Sequence, residues 1–179
     1  FQSNQRLFSS GLINEKIFSI KNVNSDSTNS NNFKDKNSST IIPTFQTNFT
    51  YPLNKESLKF NNRINPKLSL RLSLPSSKDV RKKDRTVSYE NIYDLDRLGI
   101  SDTSEGGISA TYGYEFIKID KSNFDEKIKF GFANNLRFEE NKDLPINSNL
   151  GDKVSDFVGL LAYKHNDNLK FNYDFFFKR

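Results

Sequence analysis

Residues 63–74 read Arg-Ile-Asn-Pro-Lys-Leu-Ser-Leu-Arg-Leu-Ser-Leu, and this stretch decides the fold class. Every even position is apolar, whereas the odd positions carry Arg, Asn, Lys and Ser. A repeat of two places the apolar side chains on one face of a β-strand, while a helix repeats at about 3.6 residues and would scatter them. The stretch therefore predicts a strand with one apolar face and one charged face.

The same alternation returns along the chain. It is clear in 40–51, 108–116, 127–138 and 169–177. Segment 156–164 is apolar in both phases, and 15–23 is a weaker candidate. The sequence therefore predicts an all-β protein with six or seven antiparallel strands that follow one another as a meander.

The connections between these strands alternate in length. Long polar links are expected at 24–39, 75–107 and 139–155, and short turns at 54–59, 121–125 and 165–167. In outer-membrane barrels, short periplasmic turns alternate with longer extracellular loops, because every strand crosses the bilayer. The pattern favours a transmembrane β-barrel segment over a soluble sandwich, with 75–107 as a long extracellular loop.

The strand count also bears on domain organisation. Six or seven strands are fewer than the eight of the smallest bacterial barrels. The chain also begins with Phe1 and contains no Met. We therefore expect residues 1–179 to form one partial barrel domain, an arc of a larger barrel in a longer chain.

The strand phases assign side chains to two environments. The apolar phase is expected to face lipid, and the charged phase is expected to face a hydrated lumen. On this basis Leu70→Arg should cost about 2–4 kcal/mol at mid-bilayer, whereas Arg71→Leu should be mild. The predicted lipid-facing residues are Phe45, Phe49, Leu68, Leu70, Leu72, Tyr112, Tyr114, Phe116, Phe130 and Phe132. The predicted lumen-facing residues are Arg63, Lys67, Arg71, Lys127, Lys129 and Arg137.

Hairpin register follows from the same phases, because opposed residues of a hairpin lie on one face of the sheet. A turn that pairs residues 120 and 126 places Tyr114 opposite Phe132. A turn that pairs residues 53 and 60 places Phe45 opposite Leu68.

Composition narrows the function classes. The 179 residues include no Cys and one His, so disulfides and thiolate chemistry are excluded, and we expect no metal or cofactor. The net charge of +5 is spread along the chain and not gathered into a basic stripe, so we expect no nucleic-acid partner. Asp96, Asp102 and Glu105 could be read as carboxylates for acid–base catalysis, but no partner histidine accompanies them, and the chain is not expected to be an enzyme.

One segment of the long link carries a motif. It runs from Tyr89 to Gly107, and an alternating strand with Gly113 near its middle follows it. The motif positions are Tyr93, Asp96, Arg97, Gly99, Asp102, Glu105 and Gly107. This arrangement resembles the outer-membrane lipopolysaccharide-assembly family LptD, also called organic solvent tolerance protein (OstA). Thr103 stands where the family pattern has a second Arg, so an ion pair formed there must be absent or altered.

The resemblance implies a function without bond chemistry. It implies transport of lipopolysaccharide through the outer membrane and into its outer leaflet. The implied partners are the plug lipoprotein LptE, the components of a periplasmic bridge and outer-membrane lipid. The lumen-facing cations could attract phosphorylated sugars, or they could merely solvate the barrel interior. Two alternatives stay open: a passive porin or receptor barrel, and a secreted β-sandwich used for adhesion.

Overall fold

A computed structural model describes residues 2–3, 6–24, 33–74, 79–100 and 105–178, with side chains from Pro43 onward except that of Ser148. One antiparallel sheet dominates it. The prediction of an all-β antiparallel fold is confirmed. The strands are β1 (Gln2–Ser3), β2 (Arg6–Asn24), β3 (Phe33–Thr50), β4 (Leu53–Glu56), β5 (Phe60–Ser73), β6 (Gly107–Asp120), β7 (Glu126–Arg137), β8 (Phe157–Lys164) and β9 (Lys170–Phe177).

These nine strands form a meander of seven chain passes. Strands β3 and β4 are two parts of one pass interrupted at Tyr51–Pro52, and both pair with β5. Strands β1 and β2 pair with β4 and β3 in the same way. Each later strand pairs with the next strand in sequence. Proline explains the interruption, because it has no amide hydrogen to donate to a ladder.

The predicted connections are partly corrected by the strand bounds. Strand β2 ends at Asn24 and β3 begins at Phe33, so residues 33–39, expected in a long link, belong to a strand. Backbone pairing with β2 holds this segment in the sheet despite its low β-propensity. The weak strand predicted at 15–23 lies inside β2. Long links follow β5 and β7, and short turns follow β4, β6 and β8, at opposite ends of the sheet.

One predicted register is confirmed and one is wrong. Tyr114 lies opposite Phe132, as expected. Phe45, however, pairs with Leu72 rather than Leu68. The first turn is tighter than expected, because the Ser57 amide donates to the Phe60 carbonyl at 2.8 Å and β4 continues to Glu56. The shift is an even number of residues, so each side chain keeps its face.

The sheet has two unlike faces. The apolar face exposes large hydrophobic side chains, among them Phe45, Leu70 and Leu72. The polar face carries Arg71, Glu115 and Arg137, which are buried. We call the end of the strands that carries the short turns the turn end, and the end that carries the long links the link end. No helix in the described part of the chain is long and apolar enough to cross a membrane.

A hydrophobic core lies on the polar face and not within a sheet sandwich. It is built by the link after β5, by the link after β7, and by inward side chains of β7 and β8. This explains why 156–164 is apolar in both phases: Val158 and Leu160 face the core, while Phe157 and Tyr163 are exposed on the other side. The core residues are Val80, Val87, Tyr89, Ile92, Leu98, Ile100, Ala133, Leu144, Leu150, Val158 and Leu160.

Candidate functional site on the polar face

An ion cluster centred on Glu105 ties the first long link to the sheet. Arg97 and Glu105 belong to the link, Arg71 to β5 and Arg137 to β7. The Glu105 Oε2 atom accepts from Arg97 Nε at 2.6 Å, and Oε1 accepts from Arg97 Nη2 and Arg137 Nη1, each at 2.5 Å. Arg71 Nε lies 4.0 Å from Oε2. One carboxylate therefore attracts guanidinium groups from three parts of the chain and offsets part of their positive charge.

Polar groups of the sheet satisfy the remaining donors of Arg97. Its Nη1 donates to Thr111 Oγ1 at 3.0 Å, and its Nη2 donates to Asn135 Oδ1 at 3.0 Å. Arg71 Nη1 donates in turn to the Leu95 carbonyl of the link at 2.5 Å. Charge-assisted hydrogen bonds of this kind are stronger than neutral ones. The cluster thus holds the link by directional bonds as well as by charge.

The titration of Glu105 reflects two opposing effects. Complete burial disfavours the charged carboxylate and raises its pKa. The attraction and hydrogen bonds of Arg97, with smaller contributions from Arg71 and Arg137, outweigh burial and lower the pKa of Glu105 to about 2. The carboxylate is therefore ionised at neutral pH.

Two tyrosines of the link lie directly over two glycines of the sheet. A methyl group at Gly131 would meet the Tyr89 ring, and a methyl group at Gly113 would meet the Tyr93 hydroxyl and a β7 carbonyl. The two rings stand edge to face, with centroids 6.3 Å apart. Glycine at these strand positions therefore allows close approach of the link, which explains the central glycine of β6.

A second charged group lies beneath these tyrosines. The Lys67 ammonium is 5.5 Å from each of the ring centroids of Tyr89 and Tyr93, and 3.3 Å from Glu115 Oε1. Lys129 approaches the same oxygen at 3.7 Å. Burial, and then the negative charge of Glu115, raises the pKa of both tyrosines. Both hydroxyls therefore stay protonated at neutral pH.

The polar face is divided by this arrangement. Its link-end half, with Arg71 and Arg137, is sealed beneath the link, so the expectation of hydrated surroundings fails at these two residues. Its turn-end half holds Arg63, Lys67 and Lys129, which are partly exposed. Lys127 on this half lies 3.4 Å from Asp125. The basic character of the accessible half is therefore moderated by neighbouring carboxylates.

The residues of the link motif have separate roles. Arg97 and Glu105 belong to the ion cluster, and Tyr93 packs against the hydrophobic core on the polar face. Asp96 Oδ1 accepts from the Gly99 amide at 3.1 Å and closes a turn in which Gly99 has a φ of 56°. Gly107 has a φ of 96°, and a methyl group there would meet the Arg137 guanidinium. Asp102 lies outside the described residues.

The predicted lipid-facing residues divide by exposure. All lie on the apolar face, and none is in the buried core. Tyr114, Phe116, Phe130 and Phe132 are half-buried. Aromatic neighbours cover three of them, as where Tyr114 meets Phe132 edge to face with ring centroids 4.3 Å apart and Phe130 lies beside Tyr114. The exposed members are Phe45, Phe49, Leu68, Leu70, Leu72 and Tyr112.

Sequence reasoning missed several contributors. Thr111 and Asn135 bind Arg97, and Tyr89 fits over Gly131. Asn134, a polar residue in an apolar phase, is fully buried and donates from Nδ2 to the carbonyls of Ser155 and Asp156. Asn134 and Asn135 are consecutive, so one side chain points to each face of the strand. This pair was the signal in the sequence that both faces of β7 are covered by other parts of the protein.

Comparison with known families gives one match. The model of the family LptD, described as LPS transport system D, matches residues 14–179, which include both long links and every strand from β3 to β9. No curated protein and no solved structure matches the chain.

Proposed function

The chain belongs to the LptD family, whose role is lipopolysaccharide transport, and we propose that it forms part of the outer-membrane translocon that inserts lipopolysaccharide into the outer leaflet. The observation that carries this proposal is the opposition of the two sheet faces. One face exposes Phe and Leu side chains without a covering layer in the described residues, and the other gathers charge beneath a folded link. A lipid environment on one side and a polar lumen on the other account for both.

The sheet would be an arc of a larger barrel. Strand β9 pairs with β8 alone among the described strands, so its other edge presents free backbone groups. Unpaired amides in hydrocarbon cost several kcal/mol each, so a sheet in a bilayer must close on further strands. Residues 1–179 are then a partial barrel domain, and its closure comes from strands outside this sheet.

The links would lie on the extracellular side. With this orientation, residues 75–107 and the link after β7 close the polar face at the cell surface, held by the Glu105 cluster and the link core. The turn-end half stays open towards the periplasm. Arg63, Lys67, Lys127 and Lys129 would there meet the phosphorylated sugars of the substrate, while acyl chains leave sideways into lipid.

The partners would be those of the transport system. We propose that the open half of the polar face contacts the plug lipoprotein LptE and receives substrate from periplasmic bridge components. A sealed link end supports a protein that releases its substrate sideways, whereas a passive porin needs an open path along the barrel axis.

Complementation tests this proposal. A strain depleted of lipopolysaccharide export should recover growth and surface lipopolysaccharide when it expresses the full-length gene. Normal membrane insertion without recovery would contradict the proposal and favour a passive porin. Partition of the folded protein into the aqueous phase of a detergent extraction would favour a secreted adhesion protein.

A further inference from the structure

A group of cationic and aromatic side chains lies where the apolar face meets the turn end. Lys118 follows Phe116 in the apolar phase of β6, and Asn62 of β5 is its cross-strand partner. The Lys118 ammonium nevertheless lies 4.2 Å from the centre of the Phe60 ring, two residues closer to the turn. The Lys59 ammonium lies 5.5 Å from the same centre. The Lys118 side chain thus points away from the Leu-rich part of the face.

The position of this group matches the edge of a hydrocarbon layer. The uninterrupted apolar phase begins at Ile64 in β5 and ends at Leu74, one residue beyond the strand and ten residues from Ile64. At a rise of about 3.3 Å per residue and a tilt of about 40°, this distance spans ~25 Å along the membrane normal, the height of the apolar band of outer-membrane barrels. Asn62 and Phe60 follow immediately beyond this band, at the level of the lipid headgroups.

The two ammonium groups are available to a ligand. Neither lies within 4 Å of a carboxylate in the part of the chain that the structure describes. Asp120, which is paired with Phe60 across the strands, attracts Lys59 at longer range, and it accepts hydrogen bonds from the amide and hydroxyl of Ser122 at 3.0 and 2.7 Å. Two cations around one ring offer a phosphate both charge and hydrogen-bond donors.

We propose that Lys59 and Lys118, held around Phe60, bind the phosphate groups of phospholipid headgroups at the turn end of the apolar face. This inference rests on the proposed function, because it requires the apolar face to lie in lipid. Lys118 directs its ammonium out of the hydrocarbon, as long cationic side chains do near membrane interfaces. Tyr163 supplies a further polar aromatic side chain at the turn end. Its hydroxyl is hydrogen-bonded to Nδ1 of His165 at 3.2 Å. The site therefore fixes the depth of the sheet and favours anionic lipids.

Tryptophan quenching tests the proposal, because the chain contains no tryptophan of its own. Phe60→Trp and, as a matched reporter, Leu70→Trp are introduced separately into the full-length protein, from which any other tryptophan has been removed. Each protein is reconstituted in vesicles of phosphatidylcholine mixed with brominated phosphatidylglycerol, and then with brominated phosphatidylcholine. The ratio of the two quenching curves gives the preference for the anionic lipid beside each reporter.

The reporter at position 60 should prefer phosphatidylglycerol by about fivefold or more, the effect of one lysine near an anionic surface. Lys59→Gln with Lys118→Gln should reduce that ratio to about one, while Lys142→Gln in the exposed part of the second link should leave it unchanged. The reporter at position 70 should be quenched by both lipids without preference. A ratio near one at position 60, or a ratio insensitive to the double substitution, overturns the headgroup site. Absence of quenching at position 70 overturns the membrane assignment itself.

Discussion

Replacement of Glu105 by Gln probes the attachment of the long link. The substitution keeps the shape of the side chain and removes its charge. In the native protein the carboxylate contacts Arg97 and Arg137, and Arg71 lies 4.0 Å away; the three guanidinium side chains are only 2%, 1% and 6% exposed. Glu105→Gln leaves three buried cations without the carboxylate that offsets part of their charge.

The size of the effect follows from this burial. Removal of one partner from a buried ion pair costs about 3–5 kcal/mol. Since 1.4 kcal/mol corresponds to a factor of about ten, 3 kcal/mol corresponds to an increase of about 150-fold in the population of the open link. Arg71 and Arg137 keep their places in the paired strands β5 and β7, so the loss affects opening of the link and not unfolding of the sheet.

Hydrogen exchange of the full-length protein in detergent measures this difference. Amides that are hydrogen-bonded within the link should exchange about 150-fold faster or more in Glu105→Gln. One of them is the amide of Ile92, which donates to the Ser88 carbonyl at 3.0 Å. Amides of β5, β6 and β7 should keep their protection. Glu90→Gln, an exposed residue of the same link, is the matched control and should change nothing. Unchanged link protection, or equal loss in link and strands, would refute the reasoning.

Three further predictions concern the titration of Glu105, the contact between Gly131 and Tyr89, and the two faces of the sheet. The pKa of Glu105 in the folded protein, about 2, lies below its ordinary value of 4.5, so the closed link should be fully stable above pH 4.5 and weaken as the pH falls towards 2. Near-ultraviolet circular dichroism of the link tyrosines measures this change. A link that loosens as the pH rises would contradict the prediction. Gly131→Ala should destabilise the packing of the link on the sheet by about 1–3 kcal/mol, because the added methyl group meets the Tyr89 ring. Hydrogen exchange should show a smaller loss when Tyr89→Leu is also present. Equal losses with and without Tyr89→Leu would exclude the contact. Leu70→Arg should lower the free energy of unfolding in vesicles by about 2–4 kcal/mol, and Lys129→Leu on the opposite face by less than about 1 kcal/mol, as urea titration measures; similar values at both positions would remove the assignment of the faces.

Arg71→Leu was expected to have a mild effect, but the structure indicates a larger loss of stability. Arg71 is buried, and it donates to the Leu95 carbonyl and to Gln46 Oε1. A leucine there would remove both charge-assisted hydrogen bonds, at about 1.5–3 kcal/mol for a hydrogen bond to a charged group. Lys129, which is partly exposed, is therefore the appropriate control for the polar face.

Local pattern was sufficient for the faces of the sheet and for most of the strands, but not for residues 33–39 or for the full length of β2. The alternation in 63–74 and 108–116 depends on residues two apart, and any strand pairing preserves it. Register was harder to predict. The turn at 121–125 was predicted with its bounds, and the register of Tyr114 followed. The turn before β5 is tighter than its polar sequence indicates, so Phe45 shifts by four residues along its partner strand.

The sequence alone determined a two-faced antiparallel meander, its short turns and the family motif in the link, because period and composition are local properties. Only the tertiary structure decided that the motif and the charged strand face form one site. Glu105 meets Arg137 across 32 residues of chain, and Tyr89 covers Gly131 because the link folds back over the sheet. No local pattern encodes such a path, because burial of these three arginines depends on a carboxylate that offsets part of their charge and on acceptors from separate parts of the chain.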